Sequence, residues 1–263
     1  GKELHALVGH DMPVTAVAFL ADSKSIVGAS EDKMIKVWDT ASGKLLKTIK
    51  EPGNGEVPVI AAQGNSRFAI WVTSNTVEIY DADAAKKTET LTVEKAGQTI
   101  NSLSISADGT RAAVGSKEGK INLWNLSTKK IETEFDAGKM AINDLCLTAD
   151  NQRLIAADNE GGLLIWEVSN PGKPVHTIKA AHTRGVQAFA VSKDGKRFAT
   201  ASLDGVVKLW DVLTGKELRA WDYRVPFQQG RTFLASLVFT PDGKRLISAN
   251  ADATVWVLDA EVK

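Results

Sequence analysis

The sequence predicts an all-β protein built from small antiparallel sheets that repeat along the chain. The first observation is the segment from Phe189 to Leu218, where short apolar runs alternate with the turn signals Asp194-Gly195, Asp204-Gly205 and Thr214-Gly215. The second is that similar segments recur throughout the 263 residues. The third is the lack of helical periodicity between the turns. One such sheet is marginally stable, so each must bury its faces against other copies.

A tryptophan-aspartate pair, or a related pair at the equivalent position, defines the period of the repeats. Trp210 anchors the repeat described above, and the equivalent positions are Trp38, Tyr80, Trp124, Trp166 and Leu258, at spacings of 42, 44, 42, 44 and 48 residues. Repeats one and five also share a histidine 28 residues before the tryptophan, a serine eight before it and an aspartate six before it: His10, Ser30, Asp32, His182, Ser202 and Asp204. Together, these offsets resemble the WD-repeat β-propeller family.

The resemblance implies a single domain, residues 1–263, with six four-stranded antiparallel blades. Residues Gly1 to Leu4 repeat the sequence of Gly215 to Leu218, which opens an outermost strand. We therefore expect an N-terminal strand, residues 2–8, to complete the last blade and close the ring, because closure removes an exposed strand edge. Seven blades is the commonest number in the family, so part of a seven-bladed propeller is the alternative.

The resemblance also implies that the histidine, serine, aspartate and tryptophan of one repeat form a hydrogen-bond chain inside a blade: His10, Ser30, Asp32 and Trp38 in repeat one, and His182, Ser202, Asp204 and Trp210 in repeat five. Buried polar groups between strands need such partners. The same set occurs in two separate repeats, which argues against a hydrolase triad.

The other repeats depart from this pattern. Repeat two has Tyr80 for tryptophan, and lacks the histidine and aspartate, so we expect packing alone to hold it. In repeats three and four Glu118 and Glu160 could replace the aspartate, while alanine or glycine stands at the histidine position. In repeat six Trp256 could fill the space left by Leu258. Cys146, the only cysteine, lies on a predicted strand from Ile142 to Leu147 and is expected to be an inert thiol.

One face of the propeller is predicted to bind a partner. The linker 222–232 lengthens repeat six and is expected on the face that carries Asp32, Asp204 and the mouth of the central channel. Aromatic and arginine side chains on loops are typical of interfaces. The candidate binding residues are Met140, Arg184, Leu203, Tyr223, Arg224, Phe227, Gln228 and Arg231. A structural alternative is that the linker aromatics only cover a blade edge. Both charge signs are expected elsewhere on this face, as in Glu31, Lys117 and Lys139. Such a mixture suits a protein or peptide partner.

Composition narrows the function classes. The 32 basic and 32 acidic residues give a formal net charge of zero, which is unlike most nucleic-acid-binding domains. No phosphate loop, dinucleotide fingerprint or zinc spacing is present, so we expect no cofactor and no metal. The sequence has no apolar run long enough for a membrane span and no signal peptide. A cytoplasmic, monomeric protein is expected, although one unpaired cysteine is also compatible with export.

The expected function is that of a non-catalytic interaction scaffold. Two alternatives remain open at this point. One is a propeller enzyme with a metal or cofactor at the channel mouth. The other is a binder of an anionic ligand such as nucleic acid, through Lys139, Arg184, Arg224 and Arg231.

Overall fold

The computed structural model describes residues 4–20, 24–50, 59–61, 67–73, 75–92, 99–222, 234–250 and 255–261. Within these ranges the regular structure consists of 23 β-strands in six antiparallel sheets. The sheets follow one another in a ring as the blades of a six-bladed β-propeller, which confirms the predicted fold class. No helix in this part of the chain is long and apolar enough to cross a bilayer.

Each of the first three blades contains four strands. Blade one consists of β1 (Val14–Phe19), β2 (Ser25–Ser30), β3 (Met34–Asp39) and β4 (Leu45–Lys50). Blade two consists of β5 (Val59–Ala61), β6 (Arg67–Thr73), β7 (Thr76–Asp81) and β8 (Lys86–Thr92). Blade three consists of β9 (Ile100–Ile105), β10 (Arg111–Ser116), β11 (Lys120–Asn125) and β12 (Lys130–Asp136).

Four strands also form blades four and five, whereas three described strands form blade six. Blade four consists of β13 (Ile142–Leu147), β14 (Arg153–Asp158), β15 (Leu163–Glu167) and β16 (His176–Ile178). Blade five consists of β17 (Val186–Val191), β18 (Arg197–Ser202), β19 (Val206–Asp211) and β20 (Glu217–Asp222). Blade six consists of β21 (Leu234–Phe239), β22 (Arg245–Asn250) and β23 (Val255–Asp259).

Strand order within every blade follows chain order, so each blade is a meander. The three turns predicted in repeat five are confirmed: Gly195, Gly205 and Gly215 have φ angles of 68°, 80° and 65°, in the region that favours glycine. The first-to-second and third-to-fourth turns lie at one end of each blade, and the second-to-third turn lies at the other. We call the end with the second-to-third turns the turn face.

The core lies between successive blades. Val207 and Leu209 of blade five share an apolar cluster with Leu237 and Phe239 of blade six. Blades three and four are joined in the same way, by Ile121 and Leu123 against the first strand of the next blade. In blades three and five the third strand thus buries the first strand of the next blade, which is why one repeat cannot fold by itself.

The predicted closure by residues 2–8 is not formed by the described part of that segment. Residues 4–10 carry no strand assignment, and β23 is the last strand of its sheet. The segment lies instead on blade one, where the His5 Nε2 atom is 2.7 Å from the carbonyl oxygen of Ala41. Trp38 Nε1 also donates to the carbonyl of Val8 at 3.2 Å. These bonds hold the segment to the outer part of blade one, away from β23.

Candidate interaction face

Blade five contains a continuous hydrogen-bond chain from its core to the turn face. Trp210 Nε1 donates to Thr200 Oγ1 at 2.9 Å, and the same hydroxyl oxygen is 2.7 Å from His182 Nε2. His182 Nδ1 lies 3.1 Å from Asp204 Oδ2. Because a carboxylate only accepts, Nδ1 carries the proton, and Nε2 of the neutral ring accepts from the Thr200 hydroxyl. All four side chains are thereby satisfied.

The ionisation states of this chain follow from its burial. Burial lowers the pKa of His182, against the opposing attraction of the Asp204 charge, so the imidazole stays neutral. Burial opposes ionisation of Asp204 as well, but the Thr183 and Val206 amides and the His182 ring together hold its pKa below the usual value. Asp204 is therefore a charged acceptor that fixes the start of β17 and the turn before β19.

The predicted serine lies outside this chain. Ser202 Oγ donates to the carbonyl of Arg184 at 2.8 Å and accepts from the Asp204 amide at 3.1 Å. Ser30 does the same in blade one, donating to the Met12 carbonyl at 3.0 Å. Each serine thus ties the second-to-third turn to the residues before the first strand. The member that sequence reasoning missed is Thr200, ten residues before Trp210.

Blade one keeps only part of the chain. His10 Nδ1 is 2.7 Å from Asp32 Oδ2, as in blade five. Gly28 stands at the position of Thr200, and a Cβ atom there would lie 3.0 Å from the Trp38 ring. The His10 and Trp38 rings therefore meet edge to face, with centroids 5.4 Å apart, and His10 Nε2 has no partner among the described atoms. Trp38 reaches the Val8 carbonyl instead.

Blades three and four lack the chain because both the histidine and the bridging hydroxyl are absent. Val114 and Ala156 stand at the Thr200 position. Among the described atoms, the buried indole nitrogens of Trp124 and Trp166 have no hydrogen-bond partner. Glu118 still replaces the aspartate in one respect, since its carboxylate accepts from the Thr99 amide at 2.9 Å.

The expectation that packing alone holds blade two is wrong. Tyr80 donates through its hydroxyl to Glu78 at 2.7 Å, and Lys87 Nζ lies 2.7 Å from the other oxygen of Glu78. Tyr80 also stacks on Phe68, with centroids 5.4 Å apart. The Tyr80 hydroxyl thus bonds to Glu78, two residues away on the same strand, and this contact takes the place of the histidine contact that the repeat lacks.

The turn face is rigid because equivalent backbone bonds recur in four blades. The amides of Glu31, Lys117, Asn159 and Leu203 donate to the carbonyls of Pro13, Thr99, Ala141 and Gly185, at distances of 2.8 to 3.2 Å. Each acceptor directly precedes the first strand of its blade. Neighbouring blades are joined here too: Asn143 Nδ2 in blade four donates to the Val186 carbonyl of blade five at 3.1 Å.

The side chains on these turns are exposed and mixed in character. Met12 and Met140 are exposed apolar residues at equivalent positions of blades one and four. Arg184 has the same position in blade five and is also exposed, and Leu203 lies beside it half-buried. Both charge signs occur on these turns. The exposed charged residues are Lys117, Lys139, Glu160 and Arg184 on blades three to five, and Asp11, Glu31 and Lys33 on blade one. The face therefore combines flexible apolar and guanidinium groups on a fixed frame.

The remaining candidate residues, Tyr223, Arg224, Phe227, Gln228 and Arg231, lie outside the described residues. Sequence reasoning missed two other residues of this face, Asn159 and Thr183. They could have been identified from their positions in the repeat, which are equivalent to those of turn-face residues in other blades. Among the described residues, no group of three histidine, cysteine, aspartate or glutamate side chains is placed to hold a metal ion.

Two titratable groups on β13 are perturbed by burial, which raises the pKa of Asp144 to about 7 and that of the Cys146 thiol to about 12. Cys146 is thus an un-ionised thiol at neutral pH.

Comparison with known proteins agrees with this architecture. The model of the family "WD domain, G-beta repeat" matches residues 1–39, 86–125 and 172–211, and each match ends on the third strand of blade one, three or five. The chain is 22% identical over 90% of its length to "Target of rapamycin complex subunit wat1" of Schizosaccharomyces pombe. It is 23% identical over 95% of its length to "Apoptotic protease-activating factor 1" of Rattus norvegicus.

A third relative, "COMPASS component SWD3" of Saccharomyces cerevisiae, is 27% identical over 46% of the chain. The matched part of the chain spans 74% of the first relative but only 16% and 41% of the second and third. The chain thus contains three WD-repeat matches and is similar to WD-repeat proteins, in agreement with its six-bladed fold.

Proposed function

We propose that this protein is a non-catalytic scaffold that binds a protein or peptide partner on its turn face. The observation that carries the proposal is the exposed set Met12, Met140 and Arg184, held at equivalent positions by the recurring turn bonds. Methionine and arginine are enriched at protein interfaces, and a rigid frame reduces the entropy lost on binding. Two of the three relatives are named as parts of protein complexes, which supports the same class of function.

The charge distribution favours a particular kind of partner. Lys117, Lys139 and Arg184 lie on blades three to five with the exposed Glu160, and Asp11 and Glu31 lie on blade one with the exposed Lys33. A partner segment that carries both charge signs and places an apolar residue near Met140 would match this face. The absence of a single-signed surface distinguishes it from a nucleic-acid groove. The linker 222–232 is proposed as an additional contact.

The test is affinity capture from the native source with a double variant, Met140→Asp with Arg184→Glu. Both side chains are exposed, so the thermal melt should stay within about 2 °C of the wild type while capture of the partner falls at least tenfold. The matched control is Leu213→Asp with Lys193→Glu, which makes similar changes on exposed residues at the opposite end of the blades. Equal capture by both variants would reject the turn face. A partner that proves to be nucleic acid, lost steeply with added salt, would reject the protein class.

A further inference from the structure

Basic side chains join successive blades at the end of the propeller opposite to the turn face. In blades two, five and six, the carbonyl oxygen three residues after the anchor contacts a basic group: Lys47 on Asp83, His176 on Leu213 and Arg219 on Glu261. In each case the basic residue lies on the outer strand of the preceding blade. This carbonyl of the third-to-fourth turn is therefore a recurring acceptor for a basic side chain from a neighbouring strand.

A second contact at the same end uses the arginine that begins the second strand of a blade. Arg67 donates to the Gly109 carbonyl of blade three at 3.4 Å, and Arg197 donates to the Gly243 carbonyl of blade six at 3.0 Å. Both acceptors lie in the first-to-second turn of the next blade. Together, Arg197 and Arg219 bridge blades five and six with two guanidinium groups, whose planar forks donate to several carbonyls at once.

Among the described residues, the junction between blades three and four has neither contact. Thr133 stands at the position of Arg219, nine residues after the anchor, and carries no basic group. Arg111, which begins β10, turns to Glu132 of its own blade and makes two bonds to the carboxylate, at 2.9 and 2.7 Å. In blades one and five the position of Glu132 holds leucine. The acidic residue thus explains why Arg111 does not bridge to the next blade.

A cavity of about 430 Å³ lies at this junction. Its lining comes from both blades: Arg111, Glu132 and Thr133 of blade three, and residues 151–153 and 167–169 of blade four. No described residue donates to the carbonyl oxygens of Val168 and Ser169. Their counterparts in blade six accept the two guanidinium groups described above. The cavity is therefore bordered by residues whose equivalents elsewhere in the ring bind arginine side chains.

The two arginines that line the cavity already have carboxylate partners. Arg111 is 2.7 Å from Glu132, and Arg153 is 3.9 Å from Glu167 of its own blade. An anionic ligand would have to approach these carboxylates in order to reach either guanidinium group.

Two further carboxylates beside the cavity favour a cation. Asp108 accepts from the Asn151 amide at 2.7 Å, and Asp150 directly precedes Asn151 and attracts Arg153. Burial opposes the ionisation of both, but hydrogen bonds from neighbouring hydroxyl and amide groups hold the pKa of each carboxyl below its ordinary value. Both are therefore charged at neutral pH. Among the described groups that line the cavity or contact its lining, four carboxylates thus accompany two guanidinium groups.

We propose that this cavity binds the side chain of an arginine carried by a polypeptide segment, with its guanidinium group placed as that of Arg219 is placed between blades five and six. The guanidinium donates to the carbonyls of Val168 and Ser169, and Glu132 and Glu167 balance its charge. Hydrogen bonds from a charged donor are stronger than neutral ones, and a guanidinium is more weakly hydrated than an ammonium. A polypeptide is the source because outer strands carry the equivalent basic groups in other junctions.

The probe is N-acetyl-arginine N-methylamide, whose neutral ends resemble those of a residue within a peptide. Titration of the isotope-labelled chain, followed by NMR, should give saturable shifts of the amides of Asn151, Gln152 and Ser169. The amides of Lys117 and Leu203 on the turn face should not shift. The corresponding citrulline compound keeps the shape and loses the charge, so it should bind about tenfold more weakly. Equal binding of the two compounds, or shifts confined to other blades, would overturn the proposal.

Thr133→Arg supplies the arginine from the chain itself, at the position of Arg219. Binding of the probe should weaken by about tenfold or more, because the new guanidinium group takes the same carbonyls. The thermal melt should stay at or above that of the wild type. Thr133→Val, which removes the hydroxyl and adds no cation, is the matched control and should bind the probe as the wild type does. Undiminished binding by Thr133→Arg would contradict the assignment of the probe to Val168 and Ser169, and the wild-type titration remains decisive if this variant fails to fold.

Two further compounds test the charge and the source of the ligand. N-acetyl-glutamate N-methylamide should not bind, and tighter binding than that of the arginine probe would make Arg111 and Arg153 the binding groups and the proposal wrong. Free L-arginine should bind no more tightly than the blocked probe, and tighter binding would assign the cavity to the free amino acid instead of a polypeptide. Loss of turn-face capture has no bearing on these results, because the two sites lie at opposite ends of the blades.

Discussion

The Thr200 hydroxyl is the bridge between Trp210 and the rest of blade five: its oxygen lies 2.9 Å from the Trp210 indole nitrogen. The same oxygen contacts His182, and through His182 the chain reaches Asp204 on the turn face. A buried group that accepts one hydrogen bond and donates another stabilises both partners, because neither can be solvated in the folded state. The core and the turn face of this blade are therefore linked through the side chains of Thr200, His182 and Asp204.

Thr200→Val should destabilise the protein by about 1–3 kcal/mol, because it leaves Trp210 Nε1 and His182 Nε2 buried without partners. Valine keeps the shape of threonine, so the loss reports the hydroxyl and not a cavity. Denaturant melts give the free energy of unfolding. Thr200→Ser, which retains the oxygen, is the control and should lose less. Surface substitutions usually change the free energy of unfolding by no more than about 0.5 kcal/mol. A valine variant within that range of the wild type would show that the bridge has no energetic role.

Asp144 should make the folded state less stable as the pH rises. Burial raises the pKa of the folded-state carboxyl to about 7, above the ordinary value of 3.8, so the folded chain keeps a proton that the unfolded chain releases. Stability attributable to this group is therefore full below pH 3.8 and is lost as the pH rises towards 7.

Asp144→Asn removes this titration. The free energy of unfolding of the variant should increase relative to that of the wild type as the pH rises, by roughly 1–3 kcal/mol at pH 7.5. This difference is smaller than the full pKa shift implies, because the Asp144 side chain retains some solvent contact. Urea melts at several pH values measure the difference. A constant difference between variant and wild type at every pH would contradict the assignment.

Trp210 and Trp256 should differ sharply in their contribution to stability. Trp210 is 3% exposed and stacked near Phe198, so Trp210→Ala should cost about 3–5 kcal/mol. Trp256 is 44% exposed, so it does not fill the buried place that Leu258 leaves, and Trp256→Ala should cost about 1 kcal/mol or less. Equal losses in chemical denaturation would show that Trp256 carries a core role.

Blade two should depend on the ionic contact of its buried carboxylate. Glu78 is 5% exposed and is bonded to Tyr80 and Lys87. Lys87→Met removes the countercharge and leaves the carboxylate with the phenol alone, at an expected cost of about 1–2 kcal/mol, since the lysine itself is partly exposed. The double variant Lys87→Met with Glu78→Gln should recover part of the loss. Failure of the second substitution to restore any stability would argue against the ion pair.

The repeat period, read from one anchor residue, predicted the six blades and the turns of repeat five, because blades one to five bury the anchor of their third strand in the same way. It could not predict Thr200 as the bridge, since the same offset holds Gly28, Val114 and Ala156 in other repeats. The Tyr80–Glu78–Lys87 contacts were missed because they replace a histidine with groups from two different strands. Residues 2–8 were predicted to form an outer strand because Gly1 to Leu4 repeat the sequence of Gly215 to Leu218, but residues 4–8 form no strand and contact blade one instead. Sequence similarity to a strand does not specify whether or where that segment pairs.

The claim that the partner binds the turn face is tested most directly by amide hydrogen exchange on the complex with the captured partner. We expect the partner to slow amide exchange at the second-to-third turns and the residues before each first strand, including Met140, Arg184 and Leu203. The first-to-second turns at the other end, including Asp150 and Asp194, should exchange as in the free chain. Protection confined to that other end would contradict the account.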